Sequence, residues 1–356
     1  MSRTSARTLA GGLAALSLLA VAPAASNAAT TKGLQDNSIL SDNAADRAAF
    51  FADARASKSK TVRVLVNWDG TSTSAPADQI ARIRRAATEG GSSVRLLVGS
   101  YVTMGRGKKS GSKVPASTQS NYVLFMGDIA SKLKDLPLAG YLTFNEPNYK
   151  TAWPQGQERA WVKLSNRVYK QVKKSDPGAK VLVGEAAPNT RSGQAGSNPG
   201  AFFRKALYLN SAFKPTSRSK AAKTKLLGDG FTLHTYDFSR SPTKATSSKD
   251  QWTHGNLKTT VQQIKKLKSA GRLSSAAAKN IQITEFAYRT EGKFKTKDST
   301  AAKYLKSAFS LAKKNGIKTF IWYQLRDPKG SSDWKSGLKT ADGTARPTWN
   351  AWLKLK

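Results

Sequence analysis

Eight short apolar runs, each closed by polar or turn-forming residues and separated by helical patterning, constrain the fold of this chain more than any other feature. The runs are GLQDNSIL (33–40), TVRVLVNW (61–68), VRLLVGSY (94–101), LAGYLTFN (138–145), KVLVGEAA (180–187), GFTLHTYDF (230–238), IQITEFAY (281–288) and TFIWYQLR (319–326). The first is poorly defined. Most of the others are continuous in Val, Ile, Leu and Phe, as strands covered on both faces are, so they predict a parallel sheet. Between them, apolar residues recur at three- and four-residue spacing. Tyr122, Phe125, Met126, Ile129, Leu133 and Leu136 form one such set, Trp161, Leu164, Val168 and Val172 a second, and Tyr304, Leu305, Ala308 and Leu311 a third. That spacing predicts helices with one buried face. Eight strand-helix units match an α/β fold of the (β/α)8 barrel type better than an open doubly wound sheet, whose glycine fingerprint is missing after the first strand. No linker divides the chain, so residues 29–356 read as one domain.

In such a barrel the strands' C-terminal ends carry the site. Glu146, in LTFNEPN, closes the fourth strand, and Glu285, in ITEF, holds the same place on the seventh. Alone, Glu146 would equally be a solvated loop residue or the partner of a lysine. Cysteine is absent, so thiol nucleophiles and zinc-thiolate sites are excluded, and with His234 and His254 the only histidines a multi-histidine metal site is not expected. No metal or cofactor is expected, and the chemistry falls to carboxylates, hydroxyls and aromatics. Two carboxylates across a cleft are what glycoside hydrolysis requires: one protonates the leaving oxygen, and the other attacks the anomeric carbon or activates water.

FNEP (144–147) resembles the Asn-Glu-Pro acid/base motif of the clan A glycoside hydrolases, retaining enzymes on (β/α)8 barrels, and TEF (284–286) resembles their nucleophile segment. The resemblance implies that Glu146 is the proton donor, Glu285 the nucleophile, and Asn145 a ligand of the sugar 2-hydroxyl. HTY (234–236) is similar to the clan's His-x-Tyr, which implies that Tyr236 holds the nucleophile and His234 lines the sugar site. WYQLRD (322–327) is similar to the clan's strand-eight Trp, which implies that Trp322 is the stacking platform. Arg63 resembles the arginine that keeps the nucleophile ionised. Cellulase-like members of family 5 carry a histidine at the end of strand three, where this chain has GSY (99–101). The resemblance is therefore closer to family 39-like or unplaced clan members. Glu185, Asp36, Asp69, Asp237 and Asp327, also near strand ends, are read as ligands of sugar hydroxyls or anchors of loops.

Residues 1–28 read as a secretory signal peptide: Arg3 and Arg7 precede an apolar run at 9–22, and SNA (26–28) supplies small residues for cleavage. The run is short of the roughly 20 residues a helix needs to cross a bilayer, and no later segment spans one. The expected protein is thus secreted, extracellular and monomeric. Its formal charge of +37 suits an anionic partner such as a cell-wall polymer, or an acidic substrate. The basic segments occur after strands three (103–115) and seven (289–297) but also after a helix (214–225), so the charge is spread over both ends. No nucleic-acid motif accompanies it, and nucleic acid is not an expected partner. The leading expectation is hydrolysis of a β-linked glycan. A non-catalytic glycan-binding barrel and a basic polyanion-binding protein are the alternatives.

Overall fold

A computed structural model describes residues 29–189, 196–219, 221–238, 240–330 and 334–356; the expected signal peptide lies outside them. Eight strands close in sequence order into a parallel barrel. They are β1 (Thr31–Gln35), β2 (Ser59–Asn67), β3 (Arg95–Tyr101), β4 (Gly140–Leu142), β5 (Val181–Ala186), β6 (Gly230–His234), β7 (Ile281–Phe286) and β8 (Thr319–Tyr323). The helices are α1 (Ala44–Ala56), α2 (Ala77–Gly90), α3 (Ala116–Leu133), α4 (Glu158–Ser175), α5 (Pro199–Ala206), α6 (Leu257–Ser269), α7 (Ser275–Lys279), α8 (Asp298–Lys314) and α9 (Pro347–Leu353). Among the described residues no helix is long and apolar enough to cross a membrane.

The first strand differs from expectation. Pairing ends at Gln35, and Asn37–Leu40 form a 3-10 turn, because the buried Asp36 accepts the Ser38 amide (2.8 Å) and caps it. The Asp36 carboxylate also accepts the Arg326 amide (2.7 Å), which ties the exits of β1 and β8 together.

Alternation along the strands sets two separate cores. Val62, Val64, Phe231, Leu233, Phe320 and Trp322 join the large cluster packed under the helices, whereas Leu97, Leu142, Leu182 and Ile321 form their own small cluster in the barrel interior. The helix patterns hold: Tyr122, Phe125, Met126, Ile129 and Leu133 on α3, and Trp161, Leu164, Val168 and Val172 on α4, are all buried. Residues 214–219 and 221–225 lie between α5 and β6, so this basic segment does lie at the end opposite the strands' C-termini.

Candidate active site

Above the Leu97 plug, each strand sends its inward-facing positions toward the C-terminal mouth. On β2 the interior residues are Arg63 and Leu65, on β6 Thr232 and His234, and on β8 Ile321 and Tyr323. Strict alternation would turn Glu285 away from this interior. Two irregularities bring it in: the pairing with β6 slips between Leu233 and His234, and the pairing with β8 slips between Ile283 and Phe286. Thr284 and Glu285 consequently face the same side, as a bulge allows. A matching slip on β5, between Val183 and Ala186, turns Glu185 inward.

The structure brings Glu146 and Glu285 together. One carboxylate oxygen of each, and a ring nitrogen of His234, all lie within 4.8 Å of one another. Their partners differ. Glu285 accepts from the Arg63 guanidinium (2.6 Å) on Oε1 and from the Tyr236 hydroxyl (2.8 Å) on Oε2. Burial, followed by the charge of Glu285, pushes the Tyr236 phenol well above its usual range, so it stays a donor. Glu146 sits in the left-handed backbone region (φ 45°), its amide bonds the Glu185 carbonyl (3.0 Å), and its carboxylate has His234 Nδ1 at 2.9 Å. It is the most exposed of the three interior glutamates, at 22% against 14% for Glu285 and 0% for Glu185.

Arg63 is the hub. Fully buried, it donates to Glu185 from Nε (3.0 Å) and from one terminal nitrogen (2.5 Å), and also to Gln35 (2.9 Å) and Asn145 Oδ1 (2.7 Å). Burial would lower its pKa, but Glu185 and Glu285 outweigh burial and raise it, so the guanidinium stays charged. Burial likewise favours a neutral His234; Glu285, Glu185 and the bond to Glu146 reverse this and raise its pKa to about 10. At neutral pH both ring N–H groups therefore donate, Nδ1 to Glu146 and Nε2 toward Glu185 (3.4 Å). Asn145 accepts from Arg63 with its oxygen, which leaves its amide N–H2 as what it can offer a ligand.

This constellation lies at the C-terminal ends of strands in a chain whose residues 24–325 match the protein family Cellulase (glycosyl hydrolase family 5). The chain belongs to glycosyl hydrolase family 5. It is thus a member of clan A, as its motifs implied. A family 39 glycoside hydrolase from Bacteroides cellulosilyticus WH2 superposes with a TM-score of 0.65 at 15% identity, over 92% of this chain and 63% of that one. The exo-beta-1,4-mannosidase Op5Man5 from Opitutaceae bacterium strain TAV5 gives 0.59 at 14% identity, over 91% of this chain and 58% of that one. GH5_18 from Streptomyces cattleya in complex with GlcNAc gives 0.60 at 15%, over 92% and 79%. At these identities the likeness is one of fold, and this chain spans well under the full length of the first two. No curated protein sequence matches it.

The pocket of this family 5 chain, of about 380 Å³, is lined by Glu146, Glu285, Asn145 and Tyr236, and walled by Tyr101, Tyr149, Phe238, Tyr323 and Trp334. The expected platform is displaced. Trp322 is 1% exposed, its indole N–H donates to the Ser336 carbonyl (2.9 Å), and its ring packs on Phe286, because alternation from the inward Ile321 turns it out of the barrel. Trp334 occupies the pocket wall instead, edge-on to Tyr236 (5.4 Å between centroids) and Tyr323 (5.8 Å). Of the other strand-end acids, Asp36 and Asp69 cap turns, Asp237 pairs with Arg240, and Asp327 pairs with Arg346 while accepting the Gly337 amide. These four anchor loops. Among the described residues no Lys or Arg lines the pocket.

Proposed function

We propose that this chain is a glycosidase that cleaves β-glycosidic bonds of a polysaccharide or oligosaccharide with retention, by double displacement. The observation that carries the reading is the approach of Glu146 and Glu285 to within 4.8 Å between oxygens. Retaining carboxylate pairs stand about 5 to 5.5 Å apart, whereas inverting pairs stand about 6.5 to 9.5 Å apart to admit water. Glu285, held by Arg63 and Tyr236, attacks the anomeric carbon. The departing oxygen takes the proton of Glu146, and a glycosyl ester forms on Glu285. Glu146, now a carboxylate, takes a proton from water as that water attacks the anomeric carbon, and the Glu285 ester bond breaks.

An activated 2-deoxy-2-fluoro glycoside tests this directly, because its slow second step leaves the label on the nucleophile. Peptide mapping should find the label on Glu285, and proton NMR of early product should show the β-anomer. A label elsewhere, or an α-anomer appearing first, would overturn the mechanism. Binding of glycans without any turnover would return the chain to the non-catalytic alternative.

That no Lys or Arg lines the pocket among the described residues supports a neutral sugar at the cleavage point. Turnover of β-glucans, mannans, xylans, galactans and acidic glycans, compared side by side, identifies the substrate. We also propose that residues 1–28 direct secretion and that surface lysines bind anionic cell-wall polymers outside the pocket. N-terminal sequencing of exported protein tests the first of these.

A further inference from the structure

We propose that Glu185 is a positioning residue that orients Arg63 and His234 beneath Glu146 and Glu285 and supplies the negative charge that balances them. The inference rests on the glycosidase reading above and adds a third carboxylate to it. Glu185 is fully buried and bonds the groups that hold both site glutamates. Its carboxylate takes two bonds from Arg63, faces His234 Nε2, and accepts the Thr284 hydroxyl, whose neighbour is the nucleophile. Its main-chain carbonyl takes the Glu146 amide (3.0 Å).

The backbone is shaped for this role. Gly184 has φ 124°, and a Cβ there would lie 2.5 Å from the Thr232 carbonyl. Glu185 itself has φ 51°, an uncommon conformation for a side-chain-bearing residue, held by its amide on Thr232 Oγ1 (3.0 Å). A residue merely filling the interior would need neither feature.

Charge counting gives the function. His234 is faced by Glu146 after β4, Glu185 on β5 and Glu285 on β7, with the Tyr236 ring beside it; Arg63 on β2 shares Glu185 and Glu285 with it. With Glu146 protonated, ready to act as the acid, two cations stand against two carboxylates. Without Glu185, two cations would face one in a dry interior, where unbalanced charge is costly. Arg63 cannot release a proton, so His234 would. Burial would raise the carboxyl pKa of Glu185, but Arg63 and His234 hold it down at about 2, so the balancing charge is present throughout the working range.

The chain has two histidines, which makes the test clean. His254 is kept neutral by burial, with a pKa lowered to about 4, so at pH 8 only His234 can give an imidazolium signal in the 15N spectrum of histidine-labelled protein. Wild type should show that signal, Glu185→Gln should lose it, and Glu185→Asp should restore it in part. In parallel, kcat/KM of Glu185→Gln should fall at least tenfold, mostly in kcat, with partial recovery in Glu185→Asp. A neutral His234 in wild type at pH 8, or an imidazolium that persists in folded Glu185→Gln, overturns the proposal. Should Glu185→Gln fail to fold, Glu185→Asp decides. His234 must then titrate at least one pH unit lower than in wild type, and an unchanged titration overturns the assignment. Wild type inactive on every glycan would sink the glycosidase reading while leaving the imidazole signals to report on Glu185.

Discussion

Tyr236 donates its hydroxyl to Glu285 at 2.8 Å, on the carboxylate oxygen opposite the one held by Arg63. One oxygen is thus held by a permanent cation and the other by a neutral donor that must let go when that oxygen bonds carbon. Tyr236→Phe removes a hydrogen bond to a charged group, worth about 1.5 to 3 kcal/mol. We expect kcat/KM to fall by about ten- to a hundredfold, mostly in kcat. A fall confined to KM would show that Tyr236 binds sugar and does not orient the nucleophile.

The two glutamates separate by leaving group. Glu146→Ala should spare aryl glycosides with acidic phenols, whose departing oxygen scarcely needs a proton, and azide should rescue it as a β-glycosyl azide. Glu285→Ala should lose several orders of magnitude on every substrate, since no ester can form. The opposite pattern would exchange the two roles.

Glu146 and Glu285 were legible because each ends an apolar run, and parallel strands of a barrel deliver such residues to one mouth. Arg63, His234 and Tyr236 were named on the resemblance of their motifs to the clan's, and the structure places them beside the two glutamates. Trp322 did not: a continuous apolar run hides its own alternation, and only the inward Ile321 shows that Trp322 faces the helices. Trp334 lies in the loop after β8, outside any periodic pattern. Glu185 was read as a sugar ligand or loop anchor because its inward turn depends on a register slip that spacing alone cannot reveal; Glu285 needs slips of the same kind, but its TEF segment resembled the clan's nucleophile segment. The Gly184–Glu185 pair was the one available signal.

The pocket wall gives a third prediction. Trp334→Ala should raise KM severalfold and leave stability nearly unchanged. Trp322→Ala should cost about 3 to 5 kcal/mol, the range for emptying a buried aromatic site. Paired urea unfolding and steady-state kinetics distinguish them. A Trp322 variant of full stability and raised KM would restore it as the platform.

Stability should peak near pH 6.5, for opposite reasons on its two sides. His254 is lowered to about 4 by burial, so its contribution is complete above the ordinary value of 6.5 and is lost as pH falls toward 4. His234 is raised to about 10, so its contribution is complete below 6.5 and is lost as pH rises toward 10. Above pH 8 Lys32, lowered to about 8 by burial, begins to offset that loss. Thermal midpoints at pH 4.5, 6.5 and 8 should therefore be highest in the middle. His254→Gln, which keeps a donor for the Ala308 carbonyl, should flatten the acid side alone.

The last prediction concerns the positive charge. Lys60, Arg95, Lys134, Lys180 and Lys318 ring a hollow of about 850 Å³ at the strands' N-terminal ends, with Asp176 as its one carboxylate among the described residues. The groove beside the pocket instead carries Asp36, Asp42, Asp46, Asp78, Asp327 and Asp342 against Arg82, Arg326 and Lys329. An anionic polymer is thus better received away from the mouth. Hydrolysis of small neutral glycosides should change little between roughly 0.05 and 0.5 M salt, over which screening shortens severalfold. Binding to a polyanion should weaken strongly over the same range, as release of counterions from a multi-lysine contact demands. Neutralising Lys60, Lys180 and Lys318 together should lower polyanion affinity and leave glycoside turnover unchanged. Neutralising Lys108, Lys109 and Lys113, in the loop after β3, tests the mouth. If that second change alone reduced cleavage of an acidic glycan, the charge would serve the substrate and not adhesion.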